Sequence, residues 1–169
     1  MPEENYKEIL NRIKTFVFDV DGVFTDSSIH ITEEGEMLRV MNSRDGYAVQ
    51  LAVKKGYNVI IITGGHSIGV QKRFEYLGLK HIYIGAKDKE EILNEHFSKY
   101  QLDKNEALYM GDDIPDYHVM QEVALPCCPG DAATEIKSIA KYISKNLGGK
   151  GAVRDVIEQT MKVQGQWSL

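Results

Sequence analysis

Five short apolar runs rich in β-branched and aromatic residues divide the chain, each closed by polar or glycine-containing turns. They are Thr15-Phe16-Val17-Phe18, Asn58-Val59-Ile60-Ile61-Ile62, His81-Ile82-Tyr83-Ile84, Ala107-Leu108-Tyr109-Met110 and Val123-Ala124-Leu125. Runs of this length and type predict five buried strands. Between them apolar residues recur at helical spacing: Tyr47, Leu51 and Val53 before Gly56; Val70, Phe74 and Leu77 before Gly78; Ile92, Leu93 and Phe97 further on. The glycines stand where helix C-caps belong.

Strands alternating with helices predict an α/β fold, an open doubly wound parallel five-stranded sheet with helices on both faces. One segment breaks the alternation. Ile29-His30-Ile31, the turn Thr32-Glu33-Glu34-Gly35-Glu36 and Met37-Leu38-Arg39-Val40 have period 2, which predicts a β-hairpin inserted after the first strand, within about residues 23–41. With no repeat or Pro/Gly/Ser-rich linker, residues 1–169 are expected to form one domain, with a C-terminal tail from about residue 147.

The 169 residues are 43% hydrophobic and 27% charged, and 20 basic against 25 acidic side chains leave a net charge of −5. Such a chain can bury a core without disulfides. It has no general attraction for nucleic acid or an anionic membrane. No apolar run approaches the ~20 residues that cross a bilayer, and Met1-Pro2-Glu3-Glu4-Asn5-Tyr6-Lys7 lacks the pattern of a secretory leader, so a cytoplasmic location is expected. Cys127 and Cys128, adjacent in sequence, are expected to be reduced structural thiols.

The chemistry gathers at strand ends. Asp19-Val20-Asp21-Gly22 follows the first strand, Thr63-Gly64-Gly65 the second, Lys89 comes after the third near a helix start, and Gly111-Asp112-Asp113-Ile114-Pro115-Asp116 follows the fourth. Singly, each has an ordinary reading. Asp-x-Asp decorates turns, threonine caps helices, a lysine at a helix start is solvated, and acids favour helix N-termini. All four fall on the carboxyl edge of one parallel sheet, where such sheets bind ligands. Five carboxylates cannot share a small site near neutral pH without a cation or proton uptake. With no His or Cys beside the acidic motifs the ligands are oxygens, which favours Mg²⁺.

These motifs, in this order, resemble those of the haloacid dehalogenase superfamily of phosphatases. Within it the chain is similar to the small enzymes without a cap domain that hydrolyse 3-deoxy-D-manno-octulosonate 8-phosphate, a step toward lipopolysaccharide. Asp21-Gly22-Val23-Phe24-Thr25-Asp26, Arg44-Asp45-Gly46, Gly85-Ala86-Lys87-Asp88-Lys89 and Gly148-Gly149-Lys150-Gly151-Ala152-Val153-Arg154 support the likeness. The resemblance implies Mg²⁺ held by the Asp19 side chain, the Asp21 backbone carbonyl and Asp112, with Asp113 and Asp116 orienting the site from behind. Asp19 becomes the nucleophile, Asp21 the acid and then the base, and Thr63, Gly64 and Lys89 the phosphate-binding groups. After Ile62-Thr63-Gly64 this chain has Gly65-His66, where many such enzymes carry an arginine and relatives acting on nine-carbon sugar acids carry a glutamate. A nine-carbon keto-deoxy sugar acid 9-phosphate, or another small phosphate ester, is therefore the alternative substrate.

Arg44, Lys150 and Arg154 are the cationic candidates for the sugar carboxylate, and His66 is a further candidate for substrate contact. The resemblance also implies a homotetramer in which hairpins associate and the Gly148–Gly151 region reaches a neighbour's site. A rival of another class is a non-catalytic phosphoacceptor domain like a response-regulator receiver. That fold places its phosphorylated aspartate after the third strand, where this chain has Gly85-Ala86-Lys87. Leu147-Gly148-Gly149-Lys150-Gly151 is not a nucleotide loop, since Gly follows the lysine and no strand precedes it.

Overall fold

A computed structural model describes residues 4–168; Met1, Pro2 and Glu3, on which part of the leader reading falls, lie outside the described residues. In chain order the strands are β1 (Thr15–Phe18), β2 (His30–Ile31), β3 (Met37–Leu38), β4 (Asn58–Ile62), β5 (His81–Tyr83), β6 (Ala107–Met110), β7 (Leu125–Cys128) and β8 (Tyr142–Ile143). The helices are α1 (Tyr6–Leu10), α2 (Ser43–Lys54), α3 (Ile68–Tyr76), α4 (Lys89–Tyr100), α5 (Tyr117–Met120), α6 (Thr134–Ile139) and α7 (Ala152–Val163), with 3₁₀ turns at Lys104–Glu106 and Ile114–Asp116.

The main sheet is parallel in the order β5-β4-β1-β6-β7-β8, and β2 and β3 form the expected antiparallel hairpin. The sheet therefore has six strands where the sequence predicts five. The sixth, β8, is two residues long between polar neighbours, too short for its pattern to register. The fifth also begins later than predicted, because Leu125-Pro126-Cys127-Cys128 contains a proline that argues against a strand.

Strand order reverses at β1, which pairs with β4 on one side and β6 on the other. That reversal opens a crevice at the carboxyl ends. Successive residues face opposite layers: Phe16 and Phe18 pack with α1, α2, α3 and α7, whereas Val17 packs with α4, α5 and α6. Asn42, Ser67 and Asp88 cap α2, α3 and α4 through their side-chain oxygens. Gly56 (φ +87°) and Gly78 (φ +93°) follow α2 and α3 in left-handed conformation, as their positions suggested.

Packing also fixes the loop after β1. Phe24 is buried edge-to-face between Phe18 (5.4 Å) and Phe74 (4.9 Å). One such aromatic contributes ~1.5–3 kcal/mol of burial, enough to anchor the short segment that leaves the sheet. Thr25 Oγ1 accepts from the N–H groups of Gly22 (3.1 Å) and Ser27 (3.2 Å), closing the turn.

The C-terminal segment runs back along its own chain before α7. Gly148 and Gly149 lie on their own chain's 22–25 loop. The Gly149 N–H donates to Val23 O (3.0 Å), and a Cβ on Gly148 would stand 1.9 Å from Gly22 O. Helix α7 then buries Val153, Val156, Ile157 and Met161 in the core. The hairpin, by contrast, leaves its apolar side chains uncovered, with Ile31 71% and Val40 70% exposed. Among the described residues no helix is long and apolar enough to cross a membrane.

Candidate active site

At the carboxyl ends of β1, β4 and β6 lies a cleft of about 560 Å³. Asp19, Asp21, Thr63, Gly64, Gly65, Lys89, Asp112 and Asp113 line it. The strand-end motifs thus converge across the reversal in strand order.

Its floor is a buried chain of charges. Lys89, the first residue of α4, donates from Nζ to Asp19 Oδ2 (2.7 Å) and Asp116 Oδ1 (2.8 Å). Asp116 is fully buried; Tyr109 OH donates to its Oδ1 (2.8 Å) and the Asp112 N–H to its Oδ2 (3.2 Å). Burial alone would lower the Lys89 ammonium, but the carboxylates of Asp19 and Asp116 outweigh it and raise its pKa. Two carboxylates share this one cation. Burial and then the charge of Asp116 push Asp19 well above the usual carboxylate range despite Lys89.

Oxygens of Asp19, Asp112 and Asp116 come within 4.8 Å of one another. Asp116 has its oxygens engaged by three donors. The Asp112 carboxylate accepts no hydrogen bond from the described residues, and burial, with Asp116 and Asp113 nearby, pushes it up to about 7. A mostly buried oxygen set short of positive charge fits a hard divalent cation; the unbonded Asp112 carboxylate could ligate it together with Asp19, whose Oδ1 also accepts from the Val20 N–H (2.7 Å).

Asp113 lines the rim of the cleft, its Oδ1 accepting from the Ile114 N–H (2.8 Å) at the start of the 3₁₀ turn. Thr63 is not a helix cap, since Ser67 caps α3. Its backbone is fixed by Tyr83 O and the Ala86 N–H (2.9 Å each), and Oγ1 accepts from the Gly65 N–H (3.3 Å). Gly64 and Gly65 sit ahead of the helix rather than at its start, and the Gly64 N–H has no partner among the described residues.

The proposed sugar-contact residues lie mostly elsewhere. His66 is exposed and folds over Gly85, where a Cβ would stand 2.2 Å from its Nε2. Arg44, Lys150 and Arg154 line a separate cleft of about 850 Å³ beside α7. Arg154 pairs with Glu158 (3.0 Å) and lies over the rings of Trp167 and Tyr47. Sequence reasoning passed over Arg39, which forms a two-point ion pair with Asp21 (3.1 and 3.2 Å), and Lys87 and Ser27 at the cleft rim. An arginine amid apolar hairpin residues was the available signal for the first. Cys127 and Cys128 are free and buried, as expected.

A profile described as haloacid dehalogenase-like hydrolase matches residues 82–157. The 3-deoxy-D-manno-octulosonate 8-phosphate phosphatase of Escherichia coli K12 is 34% identical over 91% of this chain and 82% of its own. The crystal structure of the Yersinia pestis enzyme of that name superposes with a TM-score of 0.93 at 32% identity, covering 96% of this chain and 88% of that one. The Moraxella catarrhalis enzyme, solved with magnesium, phosphate and the octulosonate sugar, gives 0.90 at 31% identity over 94% and 91%. With its aspartates and lysine meeting at the strand reversal and a third of its residues shared along nine-tenths of its length, the chain belongs to the haloacid dehalogenase-like hydrolases.

Proposed function

We propose that this chain is a Mg²⁺-dependent phosphatase that hydrolyses 3-deoxy-D-manno-octulosonate 8-phosphate to the free sugar acid and phosphate in the cytosol. The observation that carries this reading is the buried Asp19–Lys89–Asp116 chain beside the unbonded Asp112 carboxylate. The relatives named above supply the substrate class.

Asp19 attacks phosphorus, forming an aspartyl-phosphate as the sugar oxygen departs. Asp21 gives that oxygen its proton and then takes one from the water that cleaves the intermediate. Lys89 aligns Asp19 and, with Thr63 Oγ1 and the Gly64 N–H, faces the non-bridging oxygens, where charge must be met. The Asp19 carboxylate, the Asp21 carbonyl and Asp112 would hold Mg²⁺, which supplies neutralisation of the phosphoryl charge. Asp116 acts through Lys89 and the Asp112 backbone.

We also read the exposed hairpin as a contact between copies in a homotetramer, since a two-stranded unit with bare apolar side chains is marginal alone. With Arg44, Lys150 and Arg154 outside the aspartate cleft, the chain's own groups for the sugar are Lys87 and Ser27, and a neighbouring copy is the further source. Phosphate release from a panel of sugar-acid and hexose phosphates tests the activity; wide preference for simple hexose phosphates overturns the substrate. A fully active monomer in sedimentation equilibrium overturns the assembly.

A further inference from the structure

On the returning side of the hairpin Arg39 departs from its neighbours. Leu38 and Val40 are exposed, yet the Arg39 side chain is only 8% exposed. Its guanidinium turns back to the cleft, where Nε donates to Asp21 Oδ1 (3.1 Å) and Nη2 to Asp21 Oδ2 (3.2 Å). The third nitrogen, Nη1, donates to Met37 O in β3 (2.8 Å). Gly65 leaves room for this contact, since a Cβ there would stand 3.2 Å from Arg39 Nη2 and 3.5 Å from Asp21 Oδ2.

A fork of two parallel N–H···O bonds fixes a carboxylate's plane as well as its position. Each oxygen keeps a second lone pair, so the fork engages one edge of Asp21 while the residue still lines the cleft. Asp21 needs such a fixture. Its side chain is 33% exposed, and it stands three residues past β1, followed by a glycine at φ +82°. Among the described residues no other side chain bonds its carboxylate.

We infer that Arg39 is a positioning residue for proton transfer: it holds the carboxyl plane of Asp21 toward the leaving oxygen and, through Met37 O, ties that orientation to the hairpin. The inference rests on the reading of Asp21 as the acid. Lysine cannot replace it fully, because an ammonium is a point donor that leaves the carboxylate free to rotate. A misoriented acid matters only when the leaving oxygen needs a proton. The cost of losing the fork therefore depends on the ester.

The test compares kcat/KM, which reads the steps through the first irreversible one, for the sugar-acid phosphate and for 4-nitrophenyl phosphate, whose phenolate leaves unprotonated. Arg39→Met should lose roughly 10–100-fold on the sugar-acid ester and less than about threefold on the aryl ester, with Arg39→Lys between wild type and Arg39→Met. Asp21→Asn, run alongside, should show the same split enlarged. If Asp21→Asn shows no split, the assignment of the acid fails and the inference fails with it. If Asp21→Asn splits the esters but Arg39→Met lowers both equally, or neither, the role of Arg39 alone is overturned. Should Arg39→Met melt below wild type, Arg39→Gln and Arg39→Lys decide, and loss of the split in both also overturns it.

Discussion

Gly22 and Asp112 touch: a methyl group on Gly22 would stand 1.8 Å from Asp112 Oδ2 and 2.3 Å from its Cγ. The loops after β1 and β6 thus meet where one of them has no side chain, and Gly22 holds φ at +82°. Gly22→Ala should strain the turn by ~1–3 kcal/mol. It should also displace Asp112, raising the Mg²⁺ concentration for half-maximal activity roughly 10–100-fold. Metal titration of activity beside a thermal melt separates the two effects.

Asp19→Asn should abolish turnover, by ~10³-fold or more as when a nucleophile is removed, while leaving the fold intact. Burial and Asp116 already make the Asp19 charge unfavourable in the folded protein. A neutral amide should therefore melt no lower than wild type. Near-normal phosphate release would refute the nucleophile assignment.

Asp116 should matter to stability more than any other acid at the site. Asp116→Ala strands the Lys89 ammonium with Asp19 alone and removes the acceptor of Tyr109 OH. Breaking a buried pair in this way costs ~3–5 kcal/mol. Asp116→Asn keeps an acceptor and should cost less, as urea unfolding of both variants would read.

His96 gives stability a pH dependence. Burial first, then the positive charges of His81 and Lys99, lower its imidazole from 6.5 to about 4, and Tyr83 OH shares a hydrogen with Nδ1 (2.7 Å). The unfolded chain protonates near 6.5 while the folded one resists. The contribution is thus complete above that pH and is lost as pH falls from 6.5 toward 4, up to ~3 kcal/mol. His96→Gln should flatten the change in urea midpoint between about pH 7.5 and about pH 5; an unchanged slope counts against the assignment.

Much of the site was legible because its motifs are contiguous and each ends a strand whose apolar run is plain. Asp19, Thr63, Lys89 and Asp112 needed only the inference that four strand ends share one edge. What stayed hidden depends on distant partners. Pro126 masked part of β7, and two residues of β8 carry no periodicity of their own. Arg154 looked available for an anion until Glu158, Tyr47 and Trp167 were found around it. Arg39 belonged by spacing to a hairpin, and only the fold brings it to Asp21.

The contact of Gly148 and Gly149 with the 22–25 loop also has a consequence in time. Asp19 and Asp21 leave the ribosome well before Gly148 and Gly149, which back their loop, at about 5–20 residues per second. Until the segment before α7 has emerged and packed, that loop is held by Phe24 and Thr25 without the glycine contact at its back. The loop that follows Asp19 and Asp21 therefore gains its last backbone contact, from the Gly149 N–H to Val23 O, only after every strand of the sheet has been made.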